Sequence, residues 1–316
     1  MKRNSLNVLM LGGARRVSMG ELLRQSGARL GHEVNLFSYE LFPEVPIASV
    51  AQVIVGKKWG DTDVVDDIVR LCRDREIDII LPFVDGAIEI AARCKPLLPD
   101  VFIPVSEYEV CNTMFDKVAA AAAYKQAGIP VPKAYTPLTA EVPAIAKPRF
   151  GSASRGIKVF RNIESLMQLE NFPEYIVQEY IENREEYTVD CYVSSTGEIL
   201  CTVPRLRVEV MGGEVTRTVT RRIPELIQMS HDAIEAFSLR GPVTLQFIHD
   251  LNRNRYLLME INPRLGGGVI CSIYAGAPIT DYILQESMGV PLHACDDWSD
   301  NTLMARYLKE VIFYEK

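Results

Sequence analysis

The chain is short of several things that would narrow its role at once. No stretch reaches the ~20 consecutive apolar residues needed to cross a bilayer, although 48% of the 316 residues are hydrophobic. Lys2 and Arg3 precede an apolar run, but Leu6 to Leu11 is too short for the core of a secretory leader and meets Arg15 and Arg16 at once. It reads better as a first buried strand. Positive charge is in deficit: 34 Lys and Arg against 41 Asp and Glu leave a net charge of -7, which argues against a nucleic-acid backbone as the main partner. The seven cysteines, at 72, 94, 111, 191, 201, 271 and 295, form no Cys-x-x-Cys pair. That pattern favours buried thiols in a reducing cytoplasm over disulfides or zinc. Of the four histidines, His231 and His249 lack a ligand partner at useful spacing and read as structural or exposed. Gly12-Gly13 is followed by Ala14, Arg15 and Arg16, so the third glycine of a dinucleotide fingerprint is missing and an NAD site is set aside. The two arginines could meet an anionic substrate or simply be solvated.

What is present is a regular alternation of elements. A strand at Asn7–Leu11, a helix from Ser18 to Leu30 and a strand from His32 to Ser38 are followed by a helix from about Asp63 to Arg75. A strand at Ile77–Pro82, a helix around Gly86 to Cys94 and a closing strand at Val101–Pro104 complete the series. Such alternation predicts a parallel sheet covered on both faces. The alanine block predicts one helix from Asn112 to Gln126, stopped by Gly128, Pro130 and Pro132. From Tyr175 onward the hydrophobic period is two, with turns at Ser195–Gly197 and Asn252–Asn254, which predicts antiparallel hairpins crossed by a helix at about Pro224 to Phe237.

Glu260 and Asn262 alternate with apolar Met259 and Ile261, so on a strand both oxygen-bearing side chains share a face, and Pro263 ends the strand beside Arg264. Hard oxygen ligands of this kind suit Mg²⁺, which shares its shell with substrate phosphates. If Gln246 lies on the adjacent strand of a hairpin, a third oxygen converges. A polar strand end with a turn is the plainer reading of the same residues. Upstream, Ala146-Lys147-Pro148 ends a strand and leads into the small-residue stretch from Phe150 to Gly156. Small residues there let backbone N–H groups approach an anion, though a generic hairpin looks the same.

In their order these pieces resemble the ATP-grasp superfamily, and in particular its carbamoyl-phosphate-synthase-like members, over essentially the whole chain. Phe115-Asp116-Lys117 with Gly128-Ile129-Pro130 resembles the family's first lysine helix and its exit. Lys117 and Lys147 are then implied to contact nucleotide phosphates. Gly151, Ser152, Ala153 and Ser154 resemble the lid loop, with Ala153, Ser154 and Arg155 in place of further glycines. Gln178, Glu179, Tyr180 and Ile181 resemble the hinge that meets adenine, and Glu186 the residue that binds the ribose, with Glu185 as a competitor. Gln246, Glu260 and Asn262 resemble the metal ligands, the neutral Gln246 being the trait of the carbamoyl-phosphate-synthase-like branch.

The resemblance implies an N-terminal Rossmann-like parallel-sheet domain, residues 1–108, followed by a two-subdomain ATP-grasp fold at 109–316. Its lid subdomain would span about 113–181 and its antiparallel-sheet subdomain about 182–316. It implies a cytoplasmic ligase using ATP and Mg²⁺ or Mn²⁺ to activate a small-molecule carboxylate as an acyl phosphate and join it to an amine or similar nucleophile. Arg264 is the candidate for stabilising the acyl phosphate. Arg205, Arg207, Arg217 and Gly267 are candidates for substrate recognition, and the arginines could equally be an exposed sheet face. Two other functions remain open: a nucleotide-binding module without turnover, and a phosphotransferase stopping at a phosphorylated product. Nothing points to nucleic acid or membrane partners, and a homodimer is the commonest symmetric assembly.

Overall fold

A computed structural model describes residues 4–151 and 155–314. The first elements are β1 (Ser5–Leu11), α1 (Val17–Leu30), β2 (Glu33–Glu40), β3 (Gln52–Val55), α2 (Val64–Asp74), β4 (Ile79–Pro82) and α3 (Asp85–Cys94), the expected alternation with one further strand, β3, beyond those the sequence predicts. The strands form a parallel sheet in the order β3-β2-β1-β4. Both its faces are buried: Leu9, Leu11 and Ile80 pack against α2 and α3, while Val8, Met10 and Leu81 face α1. This is why β1 and β4 read as continuous apolar runs. The expected strand at Val101–Pro104 is reduced to one bridge between Ile79 and Phe102. Pro104 lacks an N–H, and the segment turns away to the next helix.

The single helix expected from Asn112 to Gln126 is two: α4 (Tyr108–Phe115) and α5 (Lys117–Gln126). Asp116 between them is extended, at φ -87 and ψ 102, and its carboxylate accepts from the backbone N–H of Val118 and Ala119 at 3.0 and 3.3 Å. It also takes Arg149, with Nη2 to Oδ2 at 2.5 Å. A helix cap and an ion pair together outweigh the alanine-rich propensity for a continuous helix.

A small sheet, β5-β8-β6-β7, follows, from β5 (Ala134–Tyr135), β6 (Ala144–Pro148), β7 (Lys158–Phe160) and, after α6 (Ile163–Met167), β8 (Tyr175–Glu179). Ala144 and Ala146 pack inward with Tyr135, Leu166 and Val177, so Ile145 and Lys147 take the other face.

The large sheet runs β13-β12-β9-β10-β11-β14. Its members are β9 (Arg184–Val193), β10 (Ile199–Met211), β11 (Glu214–Thr220), then, after α7 (Pro224–Ala236), β12 (Gly241–Asp250) and β13 (Arg255–Asn262). α8 (Val269–Tyr274) and α9 (Ile279–Ser287) precede the edge strand β14 (Leu303–Ala305). Tyr187, Val189, Cys191, Val243, Leu245, Phe247, Leu258 and Ile261 bury one face against α4, α5 and α7. On the other face Glu186, Thr188, Thr244, Gln246, Glu260 and Asn262, with apolar Ile248 and Met259, look into a cleft. α9 packs on α1, with Ser26 Oγ donating to Thr280 Oγ1 at 2.8 Å, and so fastens the end of the chain to the parallel sheet.

Gly241, the first residue of β12, has φ +73, and a Cβ there would stand 1.9 Å from the Pro104 carbonyl oxygen. Gly241→Ala is expected to cost at least ~2 kcal/mol through this clash and the left-handed backbone. Differential scanning calorimetry reads it as a lowered Tm; an unchanged Tm would contradict so close an approach.

Candidate active site

The polar face of the large sheet, the small sheet and the C-terminal ends of β1 and β4 enclose a cleft of about 460 Å³. β12 and β13 are a hairpin with Gln246 directly opposite Glu260 and Thr244 opposite Asn262. The three oxygen-bearing side chains therefore share one face, and all three line the cleft. Asn262 Nδ2 donates to Glu260 Oε1 at 2.7 Å, and turning that amide over would present its oxygen beside the carboxylate. One carboxylate and two amides make a hard, weakly charged donor set that fits a divalent cation completing its shell with phosphates. Among the described residues, no cluster of three His, Cys, Asp or Glu offers a stronger metal site.

Tyr124 of α5 braces this strand: its hydroxyl accepts from the Ile261 N–H at 3.1 Å and lies 3.3 Å from Met114 Sδ. The break at Asp116 sets Lys117 at the start of the same helix, where its Nζ donates to the Gly151 carbonyl at 2.5 Å. Lys147 enters from β6, and its Nζ donates to Gln178 Oε1 at 3.3 Å. Its pKa lies below the usual lysine value: loss of solvent disfavours the charge, and Glu260 and Glu186 only partly compensate. Ile145, Val159, Ile181, Ile248 and Met259 line an apolar part of the cleft beside Gln178, Glu179 and Tyr180. The Glu179 carboxylate itself is held by Arg255 and Arg253. Of the two candidate glutamates, Glu186 lines the cleft, near Arg184 at 3.0 Å and Arg207 at 3.6 Å. Glu185 accepts from the Tyr187 hydroxyl and is not among the lining residues. Ser152, Ala153 and Ser154 lie outside the described residues.

Arg264 lines the cleft and binds Asp85, at the start of α3, with Nε and Nη2 at 2.8 and 2.6 Å. Its Nη2 is also 3.4 Å from Asn262 Oδ1. Arg205 and Arg207 share a face of β10, as alternation requires, but their settings differ. Arg205 is fully buried against Asp190, with Nε to Oδ2 at 2.7 Å, and Ser272 Oγ donates to the same oxygen at 2.6 Å. It is the floor of the cleft and is not free to clamp a substrate. Arg207 donates to Thr188 Oγ1 and the Gly213 carbonyl, and burial lowers its pKa. Arg217 is exposed on β11 and does not line the cleft, so the structure does not bring it together with Arg205 and Arg207. Gly267 lines the cleft between Arg16 and Arg306. Sequence reasoning missed Asp85, Arg184, Glu214 and Arg306. Asp85, after the β4 strand and before a helix, carried the one readable signal. His231 bonds Thr202 at 3.0 Å, and His249 stacks on Tyr256.

Fold and cleft together define the class: this is a protein of ATP-grasp fold. The family described as "ATP-grasp in the biosynthetic pathway with Ter operon" matches residues 171–309. Among solved structures, the Campylobacter jejuni biotin carboxylase complexed with β,γ-ATP is similar at a TM-score of 0.76 and 18% identity, over 94% of this chain and 74% of that one. The biotin carboxylase domain dimer of Hydrogenobacter thermophilus 2-oxoglutarate carboxylase, with MgADP, ADP and bicarbonate, gives 0.75 and 18%, over 94% and 73%. The Staphylococcus aureus N5-carboxyaminoimidazole synthetase with ADP gives 0.73 and 20%, over 92% and 79%. No curated protein sequence matches the chain. Among the described residues no helix is long and apolar enough to cross a membrane.

Two outcomes follow from the buried charges. Asp190→Asn leaves the Arg205 guanidinium without its counter-ion and is expected to cost ~3–5 kcal/mol in urea denaturation. A lysine with a lowered folded pKa costs stability below that pKa, and the cost disappears as pH rises toward the unfolded value of about 10.4. Lys147→Met is therefore expected to stabilise the protein at pH 7, read as a raised urea midpoint. The gain over wild type should shrink at alkaline pH; a destabilised variant would contradict the desolvation argument.

Proposed function

We propose that the protein is an ATP-dependent ligase that activates a carboxylate as an acyl phosphate and joins it to an amine or similar nucleophile, releasing ADP and phosphate. The observation that carries this reading is that Lys117, Lys147 and the Gln246, Glu260, Asn262 set line one cleft beside an apolar slot. The slot next to Gln178–Ile181 suits an adenine ring. Glu186 is the ribose candidate, and Lys117 and Lys147 are point charges for the phosphates. Gln246, Glu260 and Asn262 would hold Mg²⁺ or Mn²⁺, which supplies charge neutralisation at the β- and γ-phosphates. The relatives bound to MgADP, ADP or an ATP analogue support the same nucleotide half.

In the first step a carboxylate oxygen bonds to the γ-phosphorus, and the bond from that phosphorus to the ADP oxygen breaks. In the second the nucleophile attacks the acyl carbon, loses a proton, and phosphate leaves with the electron pair of the C–O bond. Phosphoryl transfer asks mainly for alignment and for cations beside the transferring oxygens. Arg264, beside Asn262, is the group we assign to the acyl phosphate, and Asp85 orients it. We read residues 1–108 as a unit preceding the ATP-grasp region at 109–316. The lid would lie at about 113–181 and the rest of that region at 182–316, in the carbamoyl-phosphate-synthase-like branch. The assembly we expect is a homodimer in the cytoplasm.

The test is ADP release with Mg-ATP and pooled carboxylates, with and without amines. Ligation predicts dependence on both pools, and Glu260→Gln should lower turnover by more than about tenfold. Release that needs a carboxylate but no amine would favour a phosphotransferase. Nucleotide binding with no stimulated release would favour a binding module.

A further inference from the structure

The cleft holds more cations than the nucleotide chemistry uses. Five of its arginines, and Arg306 beside them, share four carboxylates: Arg205 has Asp190, Arg264 has Asp85, Arg184 and Arg207 share Glu186, and Arg16 and Arg306 share Glu214. Two positive charges are left over, and they lie in different places. Glu186 and Arg184 act on Lys147, so the first excess belongs to the proposed phosphate end. Arg16 and Arg306 pair with Glu214, whereas Arg184 and Arg207 pair with Glu186. The second excess therefore lies on the wall of the cleft that Arg16, Glu214 and Gly267 form.

Three separate segments build this wall. Arg16 stands in the turn after β1, Glu214 at the tip of the β10–β11 hairpin, and Arg306 just beyond β14. Arg16 Nη2 and Arg306 Nη1 hold the two Glu214 oxygens at 3.0 and 2.6 Å, and Arg306 also donates to the Gly267 carbonyl. A Cβ at Gly267 would come within 2.9 Å of Arg16 Nη1 and 3.2 Å of Arg306 Nη2, so the glycine leaves room for both guanidiniums beside the cleft, which Arg16 and Glu214 line. Most of the Arg16 side chain is out of solvent, at 17% exposed, whereas the Glu214 carboxylate that occupies the pair is 44% exposed. The cations are built in, and their present anion sits on a hairpin tip.

We infer that Arg16 and Arg306 form the recognition site for a second carboxylate of the acid substrate, and that Glu214 holds the place of that carboxylate when the site is empty. The substrate class is then a dicarboxylate, one carboxylate activated beside Arg264 and the other paired with Arg16 and Arg306. This rests on the ligase reading for the first carboxylate. Paired guanidiniums distinguish a carboxylate from a neutral or apolar end through charge-assisted hydrogen bonds.

Isothermal titration of the full chain tests it, with Mg²⁺ and a non-hydrolysable ATP analogue present and again without nucleotide. The probes are succinate, glutarate and adipate against butyrate, valerate and hexanoate. At least one diacid should bind about tenfold or more tightly than the monoacid of similar length. Arg16→Gln and Arg306→Gln should each erase most of that preference while changing affinity for the analogue by less than about twofold. Glu214→Gln should tighten diacid binding by removing the competing carboxylate. Diacids that bind no better than monoacids in either titration, or a preference that survives both arginine variants, would overturn the inference. Analogue binding without any diacid preference sinks this inference alone, whereas diacid preference without analogue binding sinks the ligase reading and leaves the anion site standing.

Discussion

The Arg205–Asp190 pair is the constraint around which the cleft is arranged. Both side chains are almost wholly out of solvent, at 1% and 2%, and taking two charges out of water is favourable only if geometry and further hydrogen bonds make up the loss. Thr218 on β11 and Ser272 on α8 provide those bonds. Gly268 runs past the guanidinium so closely that a Cβ would lie 2.5 Å from Nη1. Four segments distant in sequence thus meet at one ion pair, and the glycine run from Gly266 to Gly268 is held against the sheet at that point. Two residues along β10, on the same face, Arg207 lines the cleft as well.

A second constraint is the separation of the cleft into two regions with different electrostatics. In one, Lys147 is desolvated and held beside Glu260 and Glu186, an arrangement that favours binding anions over stability of the empty protein. In the other, Arg16 and Arg306 are satisfied by a carboxylate from the protein itself. Burial opposes the Glu214 charge, yet the two arginines prevail and hold its pKa below the usual range. Arg264 is tied to Asp85 and touches Asn262.

Much of this was legible. Alternation along β12 and β13 put Gln246, Glu260 and Asn262 on one face, and their cross-strand register bears this out. Continuous apolar runs marked a sheet covered on both sides. The helix break at Asp116 was not legible, because the alanine block favours continuity and the cap that Asp116 makes locally is joined by an ion pair to Arg149, 33 residues on. Arg205 and Arg207 looked equivalent on alternation, since a period of two says which face a residue takes and nothing about what lies against it. Arg217 neighbours Thr218, which pairs with Arg207, so alternation along β11 puts it on the opposite face of the sheet, and only the pairing of β10 with β11 reveals that.

Local chemistry thus determined the order of elements, the polar face of the large sheet and the composition of the metal and phosphate candidates, because those depend on spacings of two to four residues. Tertiary structure decided which charges face one another. Arg16, Glu214 and Arg306 are separated by 198 and 92 positions and become neighbours only when a parallel sheet, a hairpin tip and the segment after β14 converge. An ion pair depends on distance in space, which no periodicity along the chain encodes.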